Sequence, residues 1–333
     1  MQKTILTGIK PTGDIHLGNY IGAIRPAIEM SKTTPAMTTF YFIADYHALT
    51  FMRDPKEFKE QVYAIAASWL ALGLDPNHSL IYKQSDLPQI FELAWILNCF
   101  TPKGDMNRAH SYKDKVAKNL EEKRDQDFGV NMGLFSYPVL MAADILMFDS
   151  DLVPVGKDQV QHVEIARSIA QRINETFKKP ILKEPQELLQ DKGAYVPGLD
   201  GRKMSKSYGN GIALWLSEKK LRKTIMKITT DSTPPEAAKN PDDSLVMDFY
   251  KLVATPSQVD RLSERYRAGI GWGEAKQELF ERVNEMLKGP REEYEKLMKD
   301  KGEIDRILAR GGEVAREKAE ATMQRVRSAI TGF

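Results

Sequence analysis

Two short stretches carry residues that suit the binding of phosphate groups. The first is "PTGDIHLGNY" (residues 11–20), in which His16 and Asn19 flank a glycine, Gly18. It follows an apolar run at residues 5–6 that indicates a first strand. The turn after such a strand leads into a helix N-terminus, which favours anions, and glycines let the backbone approach a ligand. Taken alone, this stretch is equally typical of an ordinary strand-to-helix turn.

The second stretch is "GRKMSKSYGN" (residues 201–210), which places Lys203 and Lys206 three residues apart among serines and glycines. A loop of this composition can bring ammonium groups onto a phosphate chain as negative charge builds up there. Two lysines in a loop are more often merely solvated, so this stretch gains weight only in combination with the first.

Composition limits the classes of function and structure. The chain has 333 residues, a net charge of +2 and one cysteine, Cys99. The length favours two domains, and the balanced charge neither indicates nor excludes a nucleic-acid partner. A single cysteine excludes an intrachain disulfide and a cysteine-rich metal site, and its apolar context predicts a buried position. No apolar stretch approaches a membrane span and no signal-peptide pattern begins the chain, which predicts a cytoplasmic protein without a membrane partner.

The elements that position these residues follow from periodicity. Short apolar runs alternate with helical patterns over roughly the first 175 residues, which predicts an α/β domain with a parallel sheet. The predicted strands are Thr4–Thr7, Thr39–Ala44, Leu80–Lys83 and Leu152–Val155. Two helical stripes accompany them: Phe58, Val62, Ile65, Trp69 and Leu72, ended by Gly73, and then Ile165, Ile169 and Ile173.

The second half has a different pattern. From Leu214 onward the periods are helical and no convincing strand occurs. Pro290 is predicted to open one helix. The last helix carries an apolar stripe: Ala315, Ala319, Met323, Val326 and Ile330. The sequence therefore predicts two domains, 1–212 and 213–333, of which the second is all-helical.

Together the two stretches resemble the paired signatures of class I aminoacyl-tRNA synthetases. The lysine motif of that family, K-M-S-K-S, is matched at every place from Lys203 to Ser207. The histidine motif differs at its fourth place, where Asn19 replaces a histidine, as in the bacterial-type tryptophanyl branch. The segments "FIADYHALT" (residues 42–50), "YPVLMAADIL" (residues 137–146) and "VPVGKDQVQHVEIARSIA" (residues 153–170) extend this resemblance over essentially the whole chain.

The resemblance implies a fold, a reaction and a set of site residues. The fold would be a doubly wound, Rossmann-like nucleotide-binding catalytic domain, with its dimer interface in a middle insertion, followed by a helical anticodon-recognition domain. His16, Asn19, Lys203 and Lys206 would be catalytic, stabilising phosphate charge while tryptophan is activated with ATP and Mg²⁺. The ATP contacts would be Lys10, Pro11, Thr12, Gly18, Asn19, Gly156, Lys157, Asp158, Val196, Lys203, Met204, Ser205, Lys206 and Ser207.

Three positions depart from the family pattern. Lys10 and Lys157 stand where glutamine and glutamate are common, and each adds positive charge near the nucleotide. Ser111 stands where a glutamine often contacts the substrate ammonium, so that role has no assigned residue.

Substrate choice in this resemblance depends on Tyr137, Met141 and Asp144, which share one helix face at i, i+4 and i+7. The tyrosyl branch has a glutamine at the middle place, which suits a phenol hydroxyl. Indole only donates, so one acceptor, Asp144, within an apolar lining suits it. His47 and Gln159 are further predicted tryptophan contacts. The alternative is that Met141 fills the core and Asp144 caps or pairs locally.

The implied partners are tRNA(Trp), L-tryptophan and a second copy of the chain in a homodimer. A basic cluster is a candidate RNA contact, with a merely solvated helix face as the alternative: Lys219, Lys220, Arg222, Lys223 and Lys227. Three other functions compete with tryptophan–tRNA ligation. They are tyrosine–tRNA ligation, nucleotidyl transfer to a small molecule and RNA binding without catalysis.

Overall fold

The computed structural model describes residues 3–11, 13–35, 38–189 and 196–332. Its centre is a five-stranded parallel sheet with the strand order β3-β2-β1-β4-β5. The strands are β1 (Ile5–Ile9), β2 (Thr39–Ile43), β3 (Leu80–Lys83), β4 (Leu152–Val155) and β5 (Gln186–Leu189). The predicted doubly wound α/β fold is confirmed, and the strand order reverses between β1 and β4, which is where such folds bind ligands.

Fourteen α-helices are assigned within the described ranges. Those of the α/β part are α1 (Leu17–Asn19), α2 (Arg25–Thr33), α3 (Asp45–Ala48), α4 (Pro55–Ala71), α5 (Pro88–Phe100), α6 (Lys103–Asn107), α7 (His110–Glu121), α8 (Met132–Leu146) and α9 (Val160–Phe177). The remaining ones are α10 (Glu218–Ile225), α11 (Leu245–Val253), α12 (Pro256–Ala268), α13 (Trp272–Lys299) and α14 (Lys301–Thr331). None of these helices has an apolar stretch long enough to cross a bilayer.

The predicted strands agree with four of the observed ones, with small shifts at their ends. β1 continues to Ile9 instead of ending at Thr7, because its backbone pairs with β2 through Gly8 and Ile9. β5 was not predicted from the sequence. Its residues are half-buried or exposed at the edge of the sheet, so they lack the continuous apolar run of a central strand.

Helix α4 shows how the sequence specifies the elements beside the sheet. Asp54 caps it by accepting hydrogen bonds from the backbone N–H groups of Lys56 and Glu57. The predicted apolar stripe packs against the sheet, and Trp69 is buried at 2% exposure. The predicted stripe of α9 is also confirmed, since Ile169 and Ile173 are buried there.

Two predictions are wrong, one about the start of a helix and one about the burial of the cysteine. Pro290 does not open a helix but lies inside α13, a helix of 28 residues. A proline in a helix interior removes one backbone hydrogen bond and its ring crowds the carbonyl four residues earlier, but the packing of α13 on both sides of it maintains the helix. Cys99 is exposed on α5, because the buried face of that helix contains Ile90, Leu93 and Leu97 and Cys99 lies off that face.

The predicted all-helical second half is confirmed, and its last helix packs against the α/β part. The N-terminal part of α14, with Ile304 and Leu308, joins the apolar cluster that contains α4 and α13. The predicted stripe of α14, from Ala315 to Val326, is fully buried in the cluster on the other sheet face, among residues of α5, α8 and α9. Both clusters therefore contain residues from either side of residue 212, and the boundary at 212 stays a prediction.

Candidate active site

The candidate site begins at the turn that follows β1, here called the phosphate turn (residues 10–19). His16 is the N-cap of α1: its Nδ1 accepts a hydrogen bond from the Asn19 N–H at 3.1 Å. In return, the Asn19 Oδ1 accepts a hydrogen bond from the His16 N–H at 3.1 Å. Because Nδ1 accepts, the proton of the neutral ring is on Nε2, and the Asn19 Nδ2 keeps its two protons. The turn therefore holds two donors, His16 Nε2–H and Asn19 Nδ2–H, in a fixed relation.

The charge state of His16 follows from its surroundings. Burial lowers its pKa to about 4, and the nearby Lys206 ammonium adds to the effect. The ring is therefore neutral at physiological pH. As a neutral donor it can hydrogen-bond a phosphate oxygen without transferring a proton.

The second motif lies against the phosphate turn. It belongs to a segment called here the lysine loop (residues 196–210). The Lys206 Nζ donates to the backbone carbonyl of Gly13 at 2.9 Å, and the Met204 sulfur accepts from the Gly18 N–H at 3.2 Å. Just after the loop, the Ile212 carbonyl accepts a hydrogen bond from the Leu17 N–H at 2.8 Å. Lys206, which is distant in sequence from His16 and Asn19, is therefore brought to the same edge of the sheet as these two residues.

The remaining predicted nucleotide contacts lie around this edge. Val196 is buried and its carbonyl accepts from the Met204 N–H at 2.9 Å. Gly156 and Lys157 follow β4 directly and are exposed, as is Lys203 in the lysine loop. Pro11 is buried in the phosphate turn. Thr12 and the side chains of Asp158 and Ser207 lie outside the part of the chain that the structure describes.

Lys10 connects the phosphate turn to the predicted tryptophan site. Its Nζ lies 4.9 Å from the centroid of the Phe51 ring and 6.0 Å from that of Tyr137. Partial burial of the ammonium group lowers its pKa, although much of the residue remains exposed. The first residue of the phosphate turn therefore places its cation beside aromatic side chains from the segment after α3 and from α8.

The predicted indole acceptor, Asp144, is fully buried on α8. Its Oδ2 lies 3.0 Å from the Nε2 of His47, which follows β2 on α3, so the structure brings these two predicted residues together. Because a carboxylate only accepts, the His47 Nε2 carries the proton. Tyr137 lies about two turns earlier on the same face of α8, and its hydroxyl forms a hydrogen bond with His162 Nε2 at 2.8 Å. Met141 is half-buried against the core cluster, and Gln159 is half-buried in the turn after β4.

Gln84 is a further residue at this site, and it was not predicted from the sequence. It is fully buried, and its Nε2 donates to both carboxylate oxygens of Asp144, each at 2.9 Å. Burial raises the pKa of Asp144, and the hydrogen bonds from His47 and Gln84 oppose that rise. The signal that could have found Gln84 is its place directly after β3, at the carboxyl end of a strand in a parallel sheet.

A cavity of about 280 Å³ lies beside these side chains. Its lining includes His47 and Tyr137, together with Tyr46, Leu49, Thr50, Asn131, Gly133, Ser136 and Leu140. Met141 and Asp144 are not in its walls. The cavity thus approaches the predicted tryptophan contacts without reaching the buried carboxylate.

Two further observations bear on predicted contacts. Ser111 is the second residue of α7, and its buried Oγ has no hydrogen-bond partner among the residues described. No group of three His, Cys, Asp or Glu side chains that could hold a metal ion occurs in the described ranges.

The chain is similar in sequence to known proteins over nearly its whole length. The chain matches the family model "tRNA synthetases class I (W and Y)" over residues 2–288. It is 46% identical over 330 residues to the tryptophan–tRNA ligase of Neisseria meningitidis serogroup A, covering 99% of this chain and 98% of that protein. The tryptophan–tRNA ligase of Pseudomonas putida is 48% identical over 332 residues, which cover 99% of this chain and 74% of that protein.

Solved structures show the same similarity. Tryptophanyl-tRNA synthetase from Campylobacter jejuni, complexed with ADP and tryptophan, matches with a TM-score of 0.91 and 43% identity over 98% of this chain and 99% of that chain. The enzyme from Mycoplasma pneumoniae matches with a TM-score of 0.81 and 28% identity over 99% of this chain and 98% of that chain.

Proposed function

Because the chain belongs to the class I tRNA synthetases of the tryptophan and tyrosine type, we infer that it is a tryptophan–tRNA ligase. The enzyme joins tryptophan to ATP as tryptophanyl-adenylate, releasing pyrophosphate, and then transfers tryptophan to the 3′ end of tRNA(Trp). In the first step a carboxylate oxygen of tryptophan attacks the α-phosphorus of ATP, and the bond to the bridging oxygen of pyrophosphate breaks. No nucleophile from the protein is needed.

The observation that carries this function is the contact between the two motifs. Lys206 reaches the Gly13 carbonyl at 2.9 Å, and so its ammonium group lies beside the donors of His16 and Asn19. Lys206 supplies a positive charge, and His16 and Asn19 supply hydrogen-bond donors. None of the three groups needs to gain or lose a proton. This is the arrangement required to stabilise the negative charge that builds up on departing pyrophosphate.

We assign the nucleotide contacts as the sequence predicts them, with Lys203 and Lys206 at the phosphates and Val196 against the adenine. Val196 and Met204 are both buried and are joined by a backbone hydrogen bond, so the residue assigned to the adenine is linked directly to the lysine motif. Mg²⁺ enters with ATP as part of the substrate and is held by its phosphate oxygens. Lys10, positioned over Tyr137, faces the junction where the tryptophan carboxylate meets the α-phosphate.

Tryptophan is favoured over tyrosine by the polarity of α8. Asp144 only accepts hydrogen bonds in its ionised form, and Met141 offers no polar group. A phenol hydroxyl needs an acceptor and a donor, whereas an indole N–H needs one acceptor. His47 and Gln84 occupy the other sides of the Asp144 carboxylate and hold it in one orientation.

We also propose the partners implied by this function. The helical part from residue 213 recognises the anticodon, and the exposed basic cluster on and after α10 is a candidate contact for RNA phosphates.

A second copy of the chain covers α5, where Trp95 is 72% exposed, and forms a homodimer. Sedimentation of the full chain as a monomer would contradict the dimer. A cytoplasmic location follows from the role in translation.

Pyrophosphate exchange into ATP, measured with each standard amino acid in turn, tests the function. Exchange is expected with tryptophan and with no other amino acid at comparable kcat/KM. Preference for tyrosine would transfer the chain to the tyrosyl branch, and no amino-acid-dependent exchange would favour RNA binding without catalysis. Exchange that does not need an amino acid would indicate a nucleotidyltransferase.

A further inference from the structure

The lysine loop is closed by one buried amide side chain, that of Asn210. This residue is 4% exposed, although it lies at the end of a surface loop. Its Oδ1 accepts from the Ser205 N–H at 2.9 Å, and its Nδ2 donates to the Lys203 carbonyl at 3.3 Å. The backbone carbonyl of Asn210 accepts from the Leu199 N–H at 2.9 Å. Asn210 therefore binds the loop at its start and on both sides of Met204.

A third partner holds the amide in place. The Asn210 Nδ2 donates to the Asp200 Oδ1 at 2.7 Å, and this hydrogen bond is the main cause that lowers the pKa of Asp200. Gly198 provides the space: a Cβ added there would lie 2.1 Å from the Asn210 Nδ2. The side chain of residue 198 must be absent for the amide to reach all three partners.

The anchored segment continues directly into Lys206. Met204, between the two backbone groups held by Asn210, is buried and accepts a hydrogen bond from Gly18 N–H of α1 at 3.2 Å. Ser205 is fixed by the amide, and the next residue is Lys206, with its Nζ on the Gly13 carbonyl. The position of the ammonium group thus depends on a chain of contacts that starts at Asn210.

We propose that Asn210, paired with Asp200, is the positioning residue that holds Lys206 against the phosphate turn for adenylate formation. The proposal rests on the proposed function and adds to it a residue that never touches the substrate. A displacement of a catalytic group by about 1 Å can cost on the order of 10²-fold in rate. Loss of the amide is therefore expected to lower the rate without weakening tryptophan binding.

A double-mutant cycle tests the dependence on Lys206. Asn210→Ala is expected to lower the single-turnover rate of adenylate formation by roughly 10–10²-fold, with the dissociation constant of tryptophan unchanged. In a Lys206→Ala background, the same substitution is expected to cost less than about threefold, because the group that it positions is already gone. Equal costs in the two backgrounds would overturn the proposal.

The matched control is Asn174→Ala. Asn174 also accepts backbone N–H groups, of Ile181 and Leu182, and donates to a backbone carbonyl, but it lies near the end of α9. That position is roughly 20 Å along the helix from the turn after β4. The Asn174→Ala enzyme is expected to form adenylate at the wild-type rate. An equal loss of rate in Asn174→Ala would mean that general destabilisation explains both variants.

A side-chain exchange provides the second test and covers poor folding of Asn210→Ala. Asn210→Asp places two carboxylates where a 2.7 Å hydrogen bond now lies, and is expected to cost as much as the alanine variant. Adding Asp200→Asn restores one donor and one acceptor, and is expected to recover at least about tenfold of the lost rate. No recovery would contradict the pairing. Failure of the proposed function is distinguishable, because wild type would then lack tryptophan-dependent exchange altogether.

Discussion

His16 is a neutral donor because the fold keeps a proton away from it. Burial and Lys206 lower its pKa to about 4 from an ordinary value of 6.5, so the unfolded chain binds a proton between these pH values and the folded chain does not. Its contribution to stability is therefore complete above about pH 6.5 and is lost as the pH falls towards 4. We expect His16→Gln to lose less stability than wild type between pH 7 and pH 5. Urea unfolding at both pH values measures this, and an NMR titration of the ring with a pKa near 6.5 would contradict it.

In the proposed function, substrate choice depends on Asp144 as the acceptor of the indole N–H. Removing its carboxylate leaves the indole N–H without an acceptor, at a cost of about 1–3 kcal/mol, whereas phenylalanine has no donor to leave unpaired. In Asp144→Ala, the ratio of kcat/KM for tryptophan to that for phenylalanine is therefore expected to fall by about 10–10²-fold. Asp144→Asn keeps an acceptor oxygen and should preserve most of the preference. If a folded Asp144→Ala enzyme has the wild-type ratio in pyrophosphate exchange, Asp144 is a structural residue.

Among the site residues, those in recognisable motifs could be assigned a role from the sequence, whereas buried amides outside the motif pattern could not. His16, Asn19 and Lys206 could be predicted to share a site because their motifs have fixed spacing and order. Gln84 could not, because its partner Asp144 is 60 residues away and only the fold brings the two together. Asn210 could not either, because its contacts depend on how the loop from Asp200 turns back on itself. A buried amide has no sequence pattern of its own, since its role depends on which backbone groups surround it.

Elements were predictable where one face is continuously apolar. The four predicted strands and the stripes of α4, α9 and α14 have this property. In contrast, β5 is a half-exposed edge strand, and α13 contains Pro290 in its interior, where a sequence pattern predicts a break. The close packing of α14 on β3 was also not predicted. It depends on Gly311, where an added Cβ would lie 1.9 Å from the Ile81 carbonyl oxygen. Both groups are backbone in regular elements, so neither can move alone.

Gly311→Ala is therefore expected to destabilise the protein by roughly 1–3 kcal/mol, because α14 must move away from β3. The control is Gly273→Ala in α13, where an added Cβ meets nothing within 4 Å. That variant is expected to be neutral or more stable by up to about 1 kcal/mol, since alanine has the higher helix propensity. Urea unfolding of both variants gives the comparison. Equal stabilities would show that α14 can shift from β3 at no cost.

For the whole molecule, α14 joins the two halves of the chain. Arg327 near its end pairs with Glu92 of α5 and with Glu320, at 2.6 Å each, and Arg325 pairs with Asp149 after α8 at 2.6 Å. These ion pairs are partly exposed and contribute little individually. The main link is apolar, because the buried stripe of α14 completes the cluster on one sheet face while α13 packs on α4 at the other. The predicted functional division at residue 212 therefore does not coincide with a gap in the core.

This packing predicts that the fragment 1–212 does not fold on its own. Without residues 213–333, both sheet faces lose part of their apolar cover, including the fully buried Ala315, Ala319, Met323 and Val326. Burial of apolar area is the main source of stability, at about 25 cal/mol per Å², and a domain has only about 5–15 kcal/mol to lose. We expect the fragment to show no cooperative unfolding transition in near-UV circular dichroism and no tryptophan-dependent pyrophosphate exchange. Co-expression with the fragment 213–333 should restore both, because it supplies the missing half of each cluster. A soluble fragment 1–212 that unfolds cooperatively and forms adenylate would establish instead that the catalytic domain is autonomous and ends near residue 212.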